Sequence, residues 1–497
     1  MIFFPIACAV YFVVPRKARV PWLLVCSYVF YMAWNVRYAA LMAVSTLATY
    51  ACGLALDGSA LRQAQGPSGH TANTSEPAIG SIEHTPGPST RRKAILAACI
   101  VFNLAILGVF KYGNMVLATL HTGRTLDLLL PVGISFYTFQ ALGYIIDVYR
   151  GDIRAERNLL RYALFVSFFP QLVAGPIERS GRLLKQIKEL ENVKIWEPDR
   201  ISRGLTVMLW GFFMKMVIAD RICVFVNNVF DNAWTYDSTA LVLGAVAFGL
   251  QIYCDFASYS TIAVGCAQVF GVRLMENFNT PYLASSVNDF WRRWHISLSE
   301  WFRDYLYIPL GGNRKGGIRR NLNVLFVMLV SGLWHGAGWN FVLWGGLHGL
   351  YSVGENIFRR VHGEIKPKTF AGKAVKIAFT FVLTDFAWIF FRAESIGDAF
   401  TYIRRMFTHI DPWAIGDGSI VNYGLDTREL LILGAALALL FAVDLIRYRR
   451  GKRIDDVLFK QGEWARRAVV TAILVAIVVF GAYGASFDPQ AFIYFQF

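Results

Sequence analysis

Apolar runs of membrane-crossing length alternate with short basic turns along most of the chain. Runs at 1–15, 21–35, 38–56, 94–110, about 127–149, 204–218, 239–254, 429–446 and 468–484 predict helices. Several of them reach the ~17–25 residues that carry a helix across a bilayer. A glycine-studded apolar segment, VSGLWHGAGWNFVLWGGLHGLY, fills Val330–Tyr351. The run at 159–175 contains Pro170, which predicts a broken or re-entrant helix whose backbone other protein must cover. One stretch interrupts the pattern. Residues 57–92 are rich in Gly, Ser, Thr, Pro and Ala and bury too little to offset the entropy of ordering, so they are expected to form a disordered cytoplasmic linker. The expectation is an all-α, polytopic integral membrane protein. Its parts are N-terminal helices in 1–56, the linker 57–92, a central region 93–395 and C-terminal helices in 396–497.

Composition sharpens this picture. Of 497 residues, 55% are hydrophobic and 17% charged, against about a quarter charged in soluble domains. The net charge of +15 would suit nucleic acid, but the cations lie in short turns between apolar runs, where the positive-inside rule puts them. Arg16–Arg19, Arg91–Lys93, Arg150–Arg161 and Arg447–Arg453 all fall on one side if the helices alternate, which predicts both termini outside the cytoplasm. MIFFPIACAVYFVVP has no basic region before its apolar run, so it reads as a retained membrane segment. The seven cysteines are scattered without a CxxC pair and read as small buried hydrophobes.

Candidate chemistry sits in four places. His335 lies within the glycine-studded segment, and an ionisable group in such an apolar run is a functional hypothesis by default. Gly332, Gly336 and Gly338 would thin the helix around it, with Trp334, Trp339 and Trp344 walling a cavity; the pattern alone also fits a histidine that joins two helices by hydrogen bonds. Residues 288–306 predict an amphipathic interfacial helix with Trp291, Trp294, Leu298, Trp301, Phe302 and Tyr305 on one face. His295 sits at the edge of that face. The following IPLGGNRKGGIRRN sets Arg314, Lys315, Arg319 and Arg320 among glycines, as a phosphate-holding loop or as a positive-inside turn; it lacks the P-loop spacing. Asp255 lies between apolar runs, lining a polar cavity or pairing with an arginine. A metal site from His295, His335 and His348 lacks any recognisable ligand spacing, and none is expected.

The run NFNTPYLASSVNDFWRRWHISLSEWFRDYLYIPLGGNRKG followed by SGLWHGAGWNFVLWGGLHG resembles the membrane-bound O-acyltransferase (MBOAT) family, nearest its bacterial branch of alginate O-acetylation proteins. PVGISFYTFQALGYIIDVYRG and FPQLVAGPIERS extend the likeness, which covers much of 130–355. The resemblance implies a many-helix funnel in the bacterial inner membrane, with 93–395 as its catalytic core. It implies an essential histidine at His335, in WHG, and a second polar position at His295, in WHISLS. It implies direct transfer of an acyl group, expected to be acetyl, from a cytoplasmic thioester such as acetyl-CoA or an acyl carrier. The acceptor would be an exported polysaccharide or a periplasmic relay protein with a serine nucleophile. The donor is a substrate, and no cofactor is expected. The chain departs from the pattern at one point: where relatives often read DFSGYSD it reads DFASYST, so Thr261 replaces a second acid.

Competing readings stay in view. D-alanyl transfer to a teichoic acid is the work of a sister branch. A transporter would show internal repeats and charges on several lumen-lining helices, and the sequence shows neither. A non-catalytic scaffold of a secretion complex should tolerate loss of His335.

Overall fold

A computed structural model describes residues 2–64, 89–363, 367, 369–411, 413 and 416–483. Every regular element among them is helical. The chain divides into two compact units, taken here in turn.

Unit 1 comprises Met1–Gly113, Thr125–Leu172 and Glu178–Val193. Its main helices are α1 (Phe3–Val13), α2 (Arg19–Met32), α3 (Val36–Ala64), α4 (Thr90–Leu107), α5 (Ile134–Arg150), α6 (Leu159–Ser167) and α7 (Ser180–Glu189). Small and hydroxylated side chains join them, as expected where lipid gives apolar packing no advantage. Ser45 donates to Asn103 Oδ1 at 2.6 Å, and the Tyr162 hydroxyl donates to Thr49 Oγ1 at 2.7 Å. The buried Arg19 guanidinium donates to the carbonyls of Leu190 and Val193 at 2.7 and 2.8 Å.

Two sequence expectations change here. The 57–92 stretch is helical at both ends, because α3 continues through Ala64 and α4 starts at Thr90; the part at 65–88 lies outside the described residues. The predicted crossing at 1–15 is an 11-residue helix, about 16 Å long at ~1.5 Å per residue, which is half the hydrocarbon thickness. A proline at 15 with extended backbone ends it early.

Unit 2 comprises Asn114–Arg124, Val173–Ile177 and Lys194–Phe497. It opens with α8 (Pro198–Phe213), a π-helical turn at Met214–Ala219 and α9 (Asp220–Asp231). The 32-residue α10 (Ser238–Val269) then packs along α8. Glycines allow that contact: a Cβ on Gly204 would lie 2.8 Å from the Gly265 carbonyl oxygen. Next come the short α11 (Val287–Trp291) and α12 (Ile296–Phe302), the antiparallel pair α13 (Gly316–His335) and α14 (Trp339–His362), and α15 (Phe370–Arg392). The unit closes with α16 (Ile396–Thr408), α17 (Thr427–Arg450), α18 (Ile454–Leu458) and α19 (Glu463–Phe480).

Among the described residues, five helices are long and apolar enough to cross a membrane: Val36–Asp57, Thr90–Thr119, Ser238–Val269, Phe370–Arg392 and Thr427–Arg450. The protein is all-α and integral to the membrane.

Candidate active site

The glycine-studded segment folds as a helical hairpin, and its bend presents His335. Gly336 and Gly338 are both extended, with φ of −154° at each, so α13 stops at His335 and α14 begins at Trp339. A Cβ on Gly332 would lie 2.2 Å from the Phe341 carbonyl oxygen; one on Gly345 would lie 2.2 Å from that of Met328. The two glycines therefore let the helix backbones touch. This corrects the expectation that Gly332, Gly336 and Gly338 leave room for a substrate. The Phe341 ring fills the space beside Gly336, and the Asn340 side chain the space beside Gly338. Asn340 then ties the bend to α15 by donating to the Phe390 and Ala393 carbonyls at 3.3 and 2.9 Å.

His295 reaches the same place by a different device. The predicted helix 288–306 is broken: α11 ends at Trp291, α12 starts at Ile296, and His295 between them has φ 44° and ψ 53°. A left-handed conformation at a non-glycine residue costs about 1–3 kcal/mol and marks functional sites. The break turns the aromatic face inward. Trp294 is 1% exposed and Trp291 and Trp301 are buried, so the helix is no lipid-facing interfacial element.

Asn277 holds the break together. The Ile296 amide donates to the Asn277 backbone carbonyl at 2.9 Å, and the Ser297 amide to its side-chain Oδ1 at 3.2 Å. Ser297 Oγ also donates to that oxygen, at 2.8 Å, and the Asn277 amide group donates to Ser260 Oγ at 3.1 Å. The third contact on Oδ1 is His295 Nδ1, at 3.2 Å. A backbone N–H can only donate, so the Ser297 contact identifies Oδ1 as the acceptor. His295 Nδ1 must then carry the proton, which makes Nε2 the acceptor nitrogen of the neutral ring. The sequence singled out the NFNTPY run without giving Asn277 any task; the asparagine is legible only once its loop lies against α12.

The two histidines, forty residues apart, come together with ring centroids 6.1 Å apart. Aromatic rings enclose them. Trp334 lies 4.9 Å from His335 and 5.8 Å from His295, while Trp344 and Phe391 lie 5.0 and 5.5 Å from His335. Phe256 packs edge-on against His295 at 4.7 Å. Trp344 also lies against the fully buried His348, at 4.9 Å.

Other predicted site residues lie elsewhere. Trp339 is 54% exposed and donates to Thr119 Oγ1 at 3.3 Å, so it walls no cavity at His335. Asp255 is buried in an ion pair with Lys215 at 2.6 Å; Lys215 also holds Asp220 at 2.8 Å. Its partner is a lysine, not an arginine, and the residue that reaches His295 is its neighbour Phe256. Arg314 and Lys315 are exposed in the turn before α13, and no carboxylate among the described residues pairs with them. The hairpin brings a further cation to this turn that sequence order hides: Arg360 lies beside Gly317.

The model of the "MBOAT, membrane-bound O-acyltransferase family" matches residues 153–393, a range that contains both histidines. The "Probable alginate O-acetylase AlgI" of Pseudomonas putida is 37% identical over 100% of this chain and 98% of its own length. The peptidoglycan O-acetyltransferase of Helicobacter pylori is 33% identical over 81% of this chain and 77% of its own. The teichoic acid D-alanyltransferase of Bacillus subtilis is 28% identical over 53% of this chain and 69% of its own.

Proposed function

Because this chain belongs to the membrane-bound O-acyltransferase family, we propose that it moves an acetyl group from a cytoplasmic thioester to a hydroxyl outside a bacterial inner membrane. That it is a membrane O-acyltransferase, acting between an acyl donor and a polymer acceptor, follows from the family and the relatives. The finer reading takes an exported polysaccharide, or the serine hydroxyl of a periplasmic relay protein, as the acceptor. Acetyl is preferred to D-alanyl because the O-acetylating relatives match 81–100% of this chain at 33–37% identity, and the D-alanyl branch matches about half of it.

The observation that supports the reading is the pairing of His295 and His335 inside one aromatic enclosure. In the proposed reaction His335, as neutral imidazole, takes the proton of the attacking hydroxyl. The oxygen forms a bond to the thioester carbonyl carbon, the carbon–sulfur bond breaks, and the imidazolium returns its proton to the departing thiolate. His295 offers Nε2 as an acceptor, so its part is to hold an N–H of His335 or the hydroxyl of the acceptor in line. Trp334 borders both rings and would exclude water from the thioester. No cofactor enters this scheme.

The basic turn is the proposed dock for the donor. The 20 residues of α13 separate its ends by about 28 Å, so a donor held at Arg314 and Lys315 reaches His335 only through a long arm. Coenzyme A and acyl carriers have such arms, together with negative charge. Replacing Arg314, Lys315, Arg319 and Arg320 by Gln is expected to raise the apparent KM for the donor several-fold. The effect should be larger at low salt than at high salt, because screening removes the attraction the cations supply. An unchanged donor KM in purified mutant protein would refute the dock and leave a turn that serves topology alone.

We also place the C-terminus outside the cytoplasm. Thr427–Arg450 is long and apolar enough for a full crossing and ends on Arg447, Arg449 and Arg450, and α19 follows that turn. The N-terminus does not follow by the same argument, since α1 is too short to cross straight. A periplasm-active reporter fused after Tyr483 should be active and a cytoplasm-active one silent; the reverse pattern would overturn the orientation.

A further inference from the structure

We propose that a lateral cavity of unit 2, walled by α8, α10, α17, α18 and α19, binds one anionic phospholipid from the leaflet bordering the 451–462 turn. The cavity has a volume of about 570 Å³, and its shape and chemistry follow the helices that form it. Along α17 it extends from Leu439 to Arg450, which is about 16 Å at ~1.5 Å per residue. That is close to half of a ~30 Å hydrocarbon core, the depth of one leaflet.

Most of its charge lies at one end. Leu439 and Val443 of α17, Val264 of α10 and Ala472 of α19 give the walls apolar surface, and the one acid within them, Asp444 of α17, accepts a hydrogen bond from the Tyr253 hydroxyl at 2.9 Å. Arg447, Arg450 and Arg453 gather at the end next to the turn. Glu276 pairs with Arg447 and Arg453, and Asp455 pairs with Arg453. No carboxylate among the described residues pairs with Arg450, and Arg449 and Lys452 flank it in sequence. The mouth therefore has a free cation where a phosphate headgroup would lie. Basic pockets between membrane helices recognise anionic lipids in this way.

The cavity also opens to the side where lipid tails would be. Leu439 and Val469 line it and are still 44% and 41% exposed, and both stand in apolar stretches of their helices, LLILGAALALLFAV of α17 and AVVTAILVAIVVF of α19. On α10 the wall includes Val264, Ala257 and the neutral hydroxyl of Thr261. The inner boundary includes Asn277 and Phe278. Since Asn277 carries His295, a tail in the cavity packs against the loop that sets the histidine pair. The site stands independently of which donor and acceptor the enzyme uses.

The test is lipid retention by the full-length protein. Purified from phosphatidylcholine nanodiscs containing phosphatidylglycerol, the wild type should carry one phosphatidylglycerol per chain through native mass spectrometry. Arg450→Glu should weaken retention at least tenfold, and Ala472→Trp, which fills the cavity from the partly lipid-facing α19, should abolish it. A wild type that retains phosphatidylglycerol no better than phosphatidylcholine, or an Ala472→Trp protein that retains it unchanged, would overturn the site. A second measurement needs no variant. Phosphatidylglycerol with a photoreactive tail should crosslink to peptides of α10, α17 and α19 that line the cavity. Crosslinks confined to other surfaces would refute the proposal.

Discussion

His335→Ala is expected to lower acyl transfer by about 10²–10⁴-fold, the range general acid–base catalysis supplies, while the protein stays inserted and folded. The expectation rests on placement. His335 is the last residue of α13, and its ring meets Trp334, Trp344 and Phe391 at 4.9–5.5 Å. Removing the imidazole leaves a small gap in that enclosure, while the helix contacts through Gly332 and Gly345 are untouched. His295→Ala should cost less, about 10–100-fold, because a water can replace an orienting acceptor in part. It also relieves the left-handed backbone only slightly, since alanine dislikes φ 44° as well. The measurement is the O-acyl ester content of the exported polymer, normalised to protein level in the membrane. Near-normal ester content from a well-expressed His335→Ala protein would remove the histidine from the chemistry and favour a scaffold role.

Gly345→Leu should have the largest effect on folding. A Cβ there meets the Met328 carbonyl oxygen at 2.2 Å and Gly332 Cα at 3.0 Å, and these are backbone atoms with no rotamer to yield. The α13–α14 hairpin must open, at a cost of about 3 kcal/mol or more. Opening it carries His335 away from Trp344. Loss of the monodisperse peak in fluorescence-detected size exclusion, or a strongly lowered thermal midpoint, checks this. Gly346→Ala is the control on the same helix: its Cβ meets only the Leu329 side chain, at 3.4 Å, so that protein should behave as wild type. Equal behaviour of the two variants would mean that the close helix contact is not what holds the bend.

The contrast between these glycines shows how far a linear reading reaches. Composition and the recurrence of apolar runs already imply a membrane-embedded helical protein, because hydrocarbon excludes unpaired backbone and leaves few alternatives. An imidazole among glycines and tryptophans marks His335, since such depth is costly without a purpose. That His295 stands beside it came from resemblance, not periodicity; its own pattern predicted a continuous interfacial helix. Periodicity assumes unbroken α geometry, whereas three donors converging on Asn277 Oδ1 pay for a break that turns the tryptophans inward.

What the sequence determined by itself, then, is the class of protein, the placement of its apolar runs and a candidate histidine at 335. These are properties of single residues and their local spacing. Tertiary structure alone decided which glycines admit a neighbouring backbone, that Trp339 faces away from the site and that Lys215 neutralises Asp255. It also decided the tautomer of His295, through an asparagine eighteen residues away, and the lateral cavity formed by five helices. Each of these depends on contacts between segments distant in the chain, and such contacts leave no period in the sequence that forms them.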